Sequence, residues 1–205
     1  MLDEMGSRDE CQKGPRLELR MTNDTAGTIW TIGHSTQPLA EFIAKLEAQR
    51  IQVVADVRRF PGSRRHPQFG SDALRASLAE AGVDYRHLVA LGGRRRPRPD
   101  SPNTAWRNEA FRGYADHLAD VDYRAAFDVL CALARERRCA MMCAETLWWR
   151  CHRSLIADDF ALRGWTVSHI LGDGTVEHAF RVEARLVDGV PRYADDQGRL
   201  FDAPV

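Results

Sequence analysis

The densest run of reactive side chains lies between Cys139 and Gly164, CAMMCAETLWWRCHRSLIADDFALRG. It holds a carboxylate (Glu145), a thiol (Cys151), an imidazole (His152) and a guanidinium (Arg153) within nine residues. A second acid, Asp56, stands where an earlier apolar run ends, and His34 and Ser35 follow another. Two acids flanking a bond can divide the labour: one polarises water or steadies a cationic sugar, the other gives or takes a proton. A nearby carboxylate can also stabilise a cationic transition state by electrostatics. Glu145, Asp56 and His34 are therefore the candidate catalytic groups. The same acids could equally form Asp56–Arg58 or Glu145–Arg153 ion pairs that only hold loops.

Cys143, Cys151, His34 and His152 raise the question of a metal. Zinc sites use thiolate and imidazole ligands, usually from paired short spacings. No C-x-x-C is present, and Cys151 and His152, adjacent on a helix, would point about 100° apart. No metal and no cofactor are therefore expected. Cys151 as a nucleophile is a further option, because a helix N-terminus lowers a thiol pKa. The segment CHRSLIADD lacks the glycine-rich phosphate loop of a thiol phosphatase. A buried structural cysteine is commoner than either.

The basic residues cluster although the 29 basic and 29 acidic side chains cancel. Arg58, Arg59, Arg64, Arg65 and His66 share one segment, and Arg94, Arg95, Arg96 and Arg98 the next. Arginines so grouped contact phosphates, with binding that weakens in salt. Phe60, Phe69, Trp106, Trp148 and Trp149 accompany them. Bases stack on such rings, and a flipped nucleotide needs an apolar wedge. Solvated arginine loops and aromatics that merely pack are the plain alternative.

The elements that must position these groups follow from hydropathic period. Thr28–His34, Ile51–Val57, Val83–Leu91, Cys139–Ala144 and Trp165–Leu171 read as strands. Helices are expected after Pro38, over residues 72–81 with Gly82 as C-cap, over 109–119 and 123–137, and from Cys151 onward. GDG at 172–174 marks a turn, and 175–180 forms a last strand or runs irregularly. Continuous apolar strands alternating with amphipathic helices indicate a parallel sheet covered on both faces. The expected fold is a single α/β domain, a mostly parallel sheet of about five strands with helices on both faces. It spans 27–185, after a loose segment 1–26 and before a tail, 186–205, that docks through Leu200 and Phe201. Every group above then leaves the same edge of the sheet, where ligands bind in open α/β folds.

With 205 residues and 44% hydrophobic content, one globular domain is expected. No apolar run approaches the ~20 residues of a membrane helix. The charged N-terminus does not resemble a signal peptide. Five cysteines without a disulfide spacing fit a reducing, cytoplasmic setting. Oligomeric state cannot be read from these features.

TIGHS (31–35), DVRRFPGS (56–63), LGG (91–93), CAE (143–145), CHR (151–153), VSHI (167–170) and LFD (200–202) together resemble the DUF488 family. The resemblance implies a fold and a set of positions more directly than a reaction. It also suggests an association with excision of modified pyrimidines from DNA, so DNA is favoured over RNA as partner. On that basis the expected activity is a hydrolase, a monofunctional DNA glycosylase insensitive to chelators. Ser35, Arg58, Arg59, Arg64, Arg94, Arg95, Trp148, Trp149, Cys151, His152 and Arg153 would bind the substrate. A non-catalytic nucleic-acid or nucleotide sensor would use the same arginines without a carboxylate. A small-molecule enzyme using Cys151 or a metal is the third alternative.

Overall fold

A computed structural model describes residues 27–62 and 65–194. Five parallel strands form most of a six-stranded sheet: β1 (Thr28–Gly33), β2 (Val53–Asp56), β3 (Asp84–His87), β4 (Cys139–Cys143) and β5 (Thr166–Leu171). The sixth strand, β6 (Gly174–Glu177), returns antiparallel beside β5 through the GDG turn, where Gly172 takes φ +60°. The order across the sheet is β3-β2-β4-β1-β5-β6.

Five helices connect these strands: α1 (Leu39–Ala48), α2 (Ser71–Glu80), α3 (Glu109–His117), α4 (Val121–Glu136) and α5 (Arg153–Leu162). The pleat sorts the strand side chains into two cores, because successive residues point to opposite faces. Ile29, Val53, Ala55 and Met141 pack with Tyr114, Phe127, Leu155 and Phe160 of α3, α4 and α5. Trp30, Ile32, Val54 and Met142 pack with Phe42 and Leu46 of α1 and Leu74 and Leu78 of α2. β2 and β4 are buried along their whole length, which is why they read as unbroken apolar runs.

The sheet order creates a crevice. β4 lies between β2 and β1, and Gly33 at the end of β1 is in register with Cys143 at the end of β4. From there the chains part. β1 leads to α1, in one core, and β4 leads to α5, in the other. Backbone bonds carry the pairing one step further, from His34 N–H to Cys143 O (3.0 Å) and from Ser35 N–H to Ala144 O (2.8 Å). Ser35 takes φ +44°, a left-handed conformation rare for a side-chain-bearing residue.

Residues 185–193 close the described chain as a hairpin of β7 (Arg185–Val187) and β8 (Val190–Arg192), followed by the fully buried Tyr193. This stretch lies at the expected domain boundary and in the expected tail. Leu200 and Phe201, the predicted docking residues, and the segment 1–26 lie outside the described residues. No described helix is long and apolar enough to cross a membrane.

Candidate functional site

At the crevice between β1 and β4 opens a cavity of about 490 Å³, within the range that encloses a small ligand or a single nucleotide. Ser35 comes from the end of β1, and Cys143, Ala144 and Glu145 from the end of β4. Arg150, Cys151 and His152 come from the turn before α5, Arg94 from the segment after Gly93, and Ala110 and Phe111 from the first turn of α3. That turn is held by Asn108, whose Oδ1 accepts from the N–H groups of Ala110 (3.0 Å) and Phe111 (3.2 Å).

Two close approaches shape the walls. A Cβ on Gly33 would stand 2.0 Å from Glu145 O and 2.8 Å from Arg153 Nη1, so only glycine lets the loop after β4 cross β1. A Cβ on Gly93 would meet His152 Nδ1 at 2.8 Å. Arg94, next in sequence, has φ +62°, and its carbonyl accepts from Arg59 Nη1 at 3.0 Å.

Cys143, Cys151 and His152 converge on the cavity floor. Their potential ligand atoms all lie within 4.8 Å of one another. His152 Nδ1 stands 3.6 Å from Cys151 Sγ and 3.9 Å from Cys143 Sγ. Its Nε2–H donates to Val57 O, at the end of β2, at 3.0 Å. The two thiols differ. A hydrogen bond from Cys151, with His152 and Arg153 nearby, holds Cys143 well below the usual thiol range despite burial. Burial first, and that same bond, push Cys151 well above it.

The expected divergence of Cys151 and His152 is corrected by the backbone. It required both residues to be helical. Helix α5 begins only at Arg153, and Cys151 is extended (φ −126°, ψ 146°). The thiol and imidazole therefore turn toward one point.

Behind this floor, several predicted site residues are engaged with the protein itself. Asp56 is fully buried and accepts from Arg58 Nη2 (2.6 Å), Arg58 Nε (2.9 Å) and the Tyr85 hydroxyl (2.6 Å). Arg58 Nη1 also donates to His34 Nε2 (3.1 Å), which leaves His34 Nδ1–H to donate to Ser35 O (2.9 Å). His34 stacks on Phe69 at 4.2 Å, and burial lowers its pKa, so it is a neutral spacer under Ser35. Arg153, 1% exposed, donates to Ile32 O and Thr146 O, both at 2.7 Å, and ties α5 to β1.

The family model described as "Domain of unknown function DUF488" matches residues 38–160. The chain belongs to the DUF488 family. No curated protein and no solved structure matches it.

In this DUF488 chain the cavity gathers five of the predicted site residues: Ser35, Arg94, Glu145, Cys151 and His152. It does not gather Asp56, His34, Arg58 or Arg153. Arg59 and Arg95 spend donors on loop carbonyls, Arg95 on Gly92 O (3.1 Å) and Ala90 O (3.2 Å). Arg64 lies outside the described residues. Trp148 is internal, stacked on His169 at 4.2 Å and 3°. Trp149 is half-buried and lines a neighbouring cleft of about 760 Å³. Arg150 and Phe111 border both cavities, and sequence reasoning passed over them. An exposed arginine in the WWRCHR run carries no period or spacing to single it out, and Phe111 fits an ordinary apolar helix position.

Proposed function

We propose that this chain is a hydrolase acting on nucleic acid, cleaving the N-glycosidic bond of a modified pyrimidine. The observation that carries this reading is the placement of Glu145. It is the carboxylate among the cavity's described lining residues, it is exposed, and two cations, Arg94 and Arg150, line the same space. Neither guanidinium has a hydrogen-bond partner among the described residues, so both are available to phosphate oxygens. Asp56, consumed by Arg58 and Tyr85, is left out of the mechanism.

Cleavage breaks the bond between the sugar C1′ and the base nitrogen, and the electron pair leaves with the base. Glu145 stabilises the positive charge that develops on the sugar and accepts a proton from the attacking water. Ser35 contacts the sugar or base, and Phe111 offers an apolar face. The adjoining cleft, with Arg107, Arg181 and Trp149, continues the basic and aromatic surface away from the cavity, as a strand flanking an extruded nucleotide requires.

The test is base release. End-labelled duplex and single-stranded oligonucleotides, each with one uracil, oxidised, alkylated or mismatched base, are incubated with the protein and then treated with hot alkali. Alkali-dependent breaks at one lesion are expected with the wild type. In Glu145→Gln they fall by about 10²-fold or more, the scale of a lost electrostatic stabiliser, while salt-dependent binding persists. Full activity in Glu145→Gln refutes this mechanism. Binding without breaks on any substrate leaves a sensor module that uses the same arginines.

A further inference from the structure

We propose that Cys143, Cys151 and His152 form a binding site for a divalent cation of the zinc class, with its fourth coordination position open to the cavity. This goes beyond the reading of Glu145 and does not depend on it.

The donor set is the first argument. Two thiolates and an imidazole suit zinc and exclude magnesium or calcium, which require oxygen ligands. Distance is the second. Around a tetrahedral ion with Zn–S near 2.3 Å and Zn–N near 2.0–2.1 Å, sulfur and nitrogen stand roughly 3.6 Å apart. The Sγ–Nδ1 separations here are 3.6 Å and 3.9 Å. Hydrogen bonds to sulfur reach these lengths as well, and both separations also suit a shared ion.

Orientation is the third argument. Val57 O can only accept, so it fixes the proton of His152 on Nε2 and leaves the Nδ1 lone pair facing both sulfurs. A metal-bound histidine is held in this way by an outer hydrogen bond. Gly93 removes the one Cβ that would crowd Nδ1, at 2.8 Å. Burial is the fourth. Cys143 and Cys151 are 7% and 5% exposed, and the cluster's remaining open side is the cavity itself.

Three protein ligands with an open fourth position make a site that can act on a substrate rather than a closed structural one. That position would take water or an oxygen or nitrogen of the ligand. The ion would polarise what it holds, next to Glu145, which lines the same cavity.

The full-length chain, reduced, stripped with a chelator and desalted, is titrated with Co²⁺ in the absence of nucleic acid. Thiolate-to-cobalt charge-transfer absorption and tetrahedral d–d bands should grow to one equivalent per chain and collapse on addition of Zn²⁺. Cys143→Ser, Cys151→Ser and His152→Ala should each weaken Co²⁺ binding by more than about tenfold, since loss of merely an outer-shell partner costs that much. Cys131→Ser and Cys139→Ser, buried cysteines outside the cluster, should leave it unchanged. Circular dichroism confirms that each variant is folded. No thiolate absorption in the wild type overturns the proposal, as does absorption that survives both Cys143→Ser and Cys151→Ser. A chain that binds one ion and releases no base sinks the glycosylase reading alone. A chain that releases base and binds no ion sinks this one alone.

Discussion

Asp56 and Glu145 are both acids at strand ends, and their surroundings divide them. Asp56 compensates a guanidinium that is only 6% exposed, and Glu145 faces open space. Breaking a buried pair from one side leaves an unpaired charge and costs about 3–5 kcal/mol. Asp56→Asn is therefore expected to lower the urea midpoint sharply, with any loss of activity following the loss of folded protein. Glu145→Gln, at an exposed position, should stay within about 0.5 kcal/mol of wild type. Parallel denaturation curves of the two variants check this. Equal stability of both would contradict the structural role of Asp56.

The turn that carries much of the site and the outer strands beyond it are held by different forces. The turn from β4 to α5 is fixed by Arg153, which bridges Ile32 O and Thr146 O, and by the missing Cβ of Gly33. The outer β6 strand and the β7–β8 hairpin have little apolar burial: β6 and β7 are exposed throughout. A polar chain anchors them instead. Thr31 Oγ1 bonds His169 Nδ1 (2.7 Å), His169 Nε2 bonds His178 Nδ1 (3.0 Å), and His178 Nε2 meets Asp158 Oδ1 (2.7 Å). The Tyr193 hydroxyl donates to Asp158 Oδ2 (2.8 Å). Tyr193→Phe removes one partner from a buried carboxylate and should cost about 1–3 kcal/mol. At roughly 2–4 °C per kcal/mol, thermal unfolding resolves that loss. An unchanged Tm would mean that the hairpin is held by something other than this chain of bonds.

The whole molecule should be destabilised by mild acid. Burial pushes the pKa of His169 down to about 2, with the charges of His178 and Arg153 adding to it, and burial likewise lowers His34. In the unfolded chain both titrate near 6.5. Below that pH the unfolded state takes up protons that the folded state refuses, so stability falls as pH falls. His169 contributes a slope approaching ~1.4 kcal/mol per pH unit, and His34 adds to it in the same direction. Asp158 and Asp159, raised by burial, work in the opposite direction: folded, they hold protons more tightly than unfolded, so they favour the fold as pH drops toward the carboxylate range. The loss should set in near pH 6.5 and steepen toward pH 5, with the two aspartates offsetting part of it at lower pH. Urea unfolding at several pH values measures it, and His169→Gln should lose part of the slope. A profile flat from pH 7 to 5 would contradict the neutral buried histidines.

Hydropathic pattern alone was enough to place the main strands and helices and to bring the polar motif residues to one edge of the sheet. Apolar period is local, so β2 and β4 announced themselves as buried strands, and Gly82 marks a helix end by the backbone it permits. Motifs spaced along the chain carried the family. What the sequence left open was which polar groups face the cavity and which face each other. That choice depends on strand order, and the order β3-β2-β4-β1-β5-β6 is decided by packing between residues far apart in the chain. With β4 inserted between β2 and β1, Gly33 pairs with Cys143, and His152 reaches Val57 O across 95 positions. The same insertion turns Asp56, Arg58, His34 and Arg153 inward onto one another and onto carbonyls. A two-residue difference in where α5 begins then decides the rest. Cys151, extended rather than helical, joins Cys143 and His152 around one point, because a backbone angle and not a spacing sets where a thiol points.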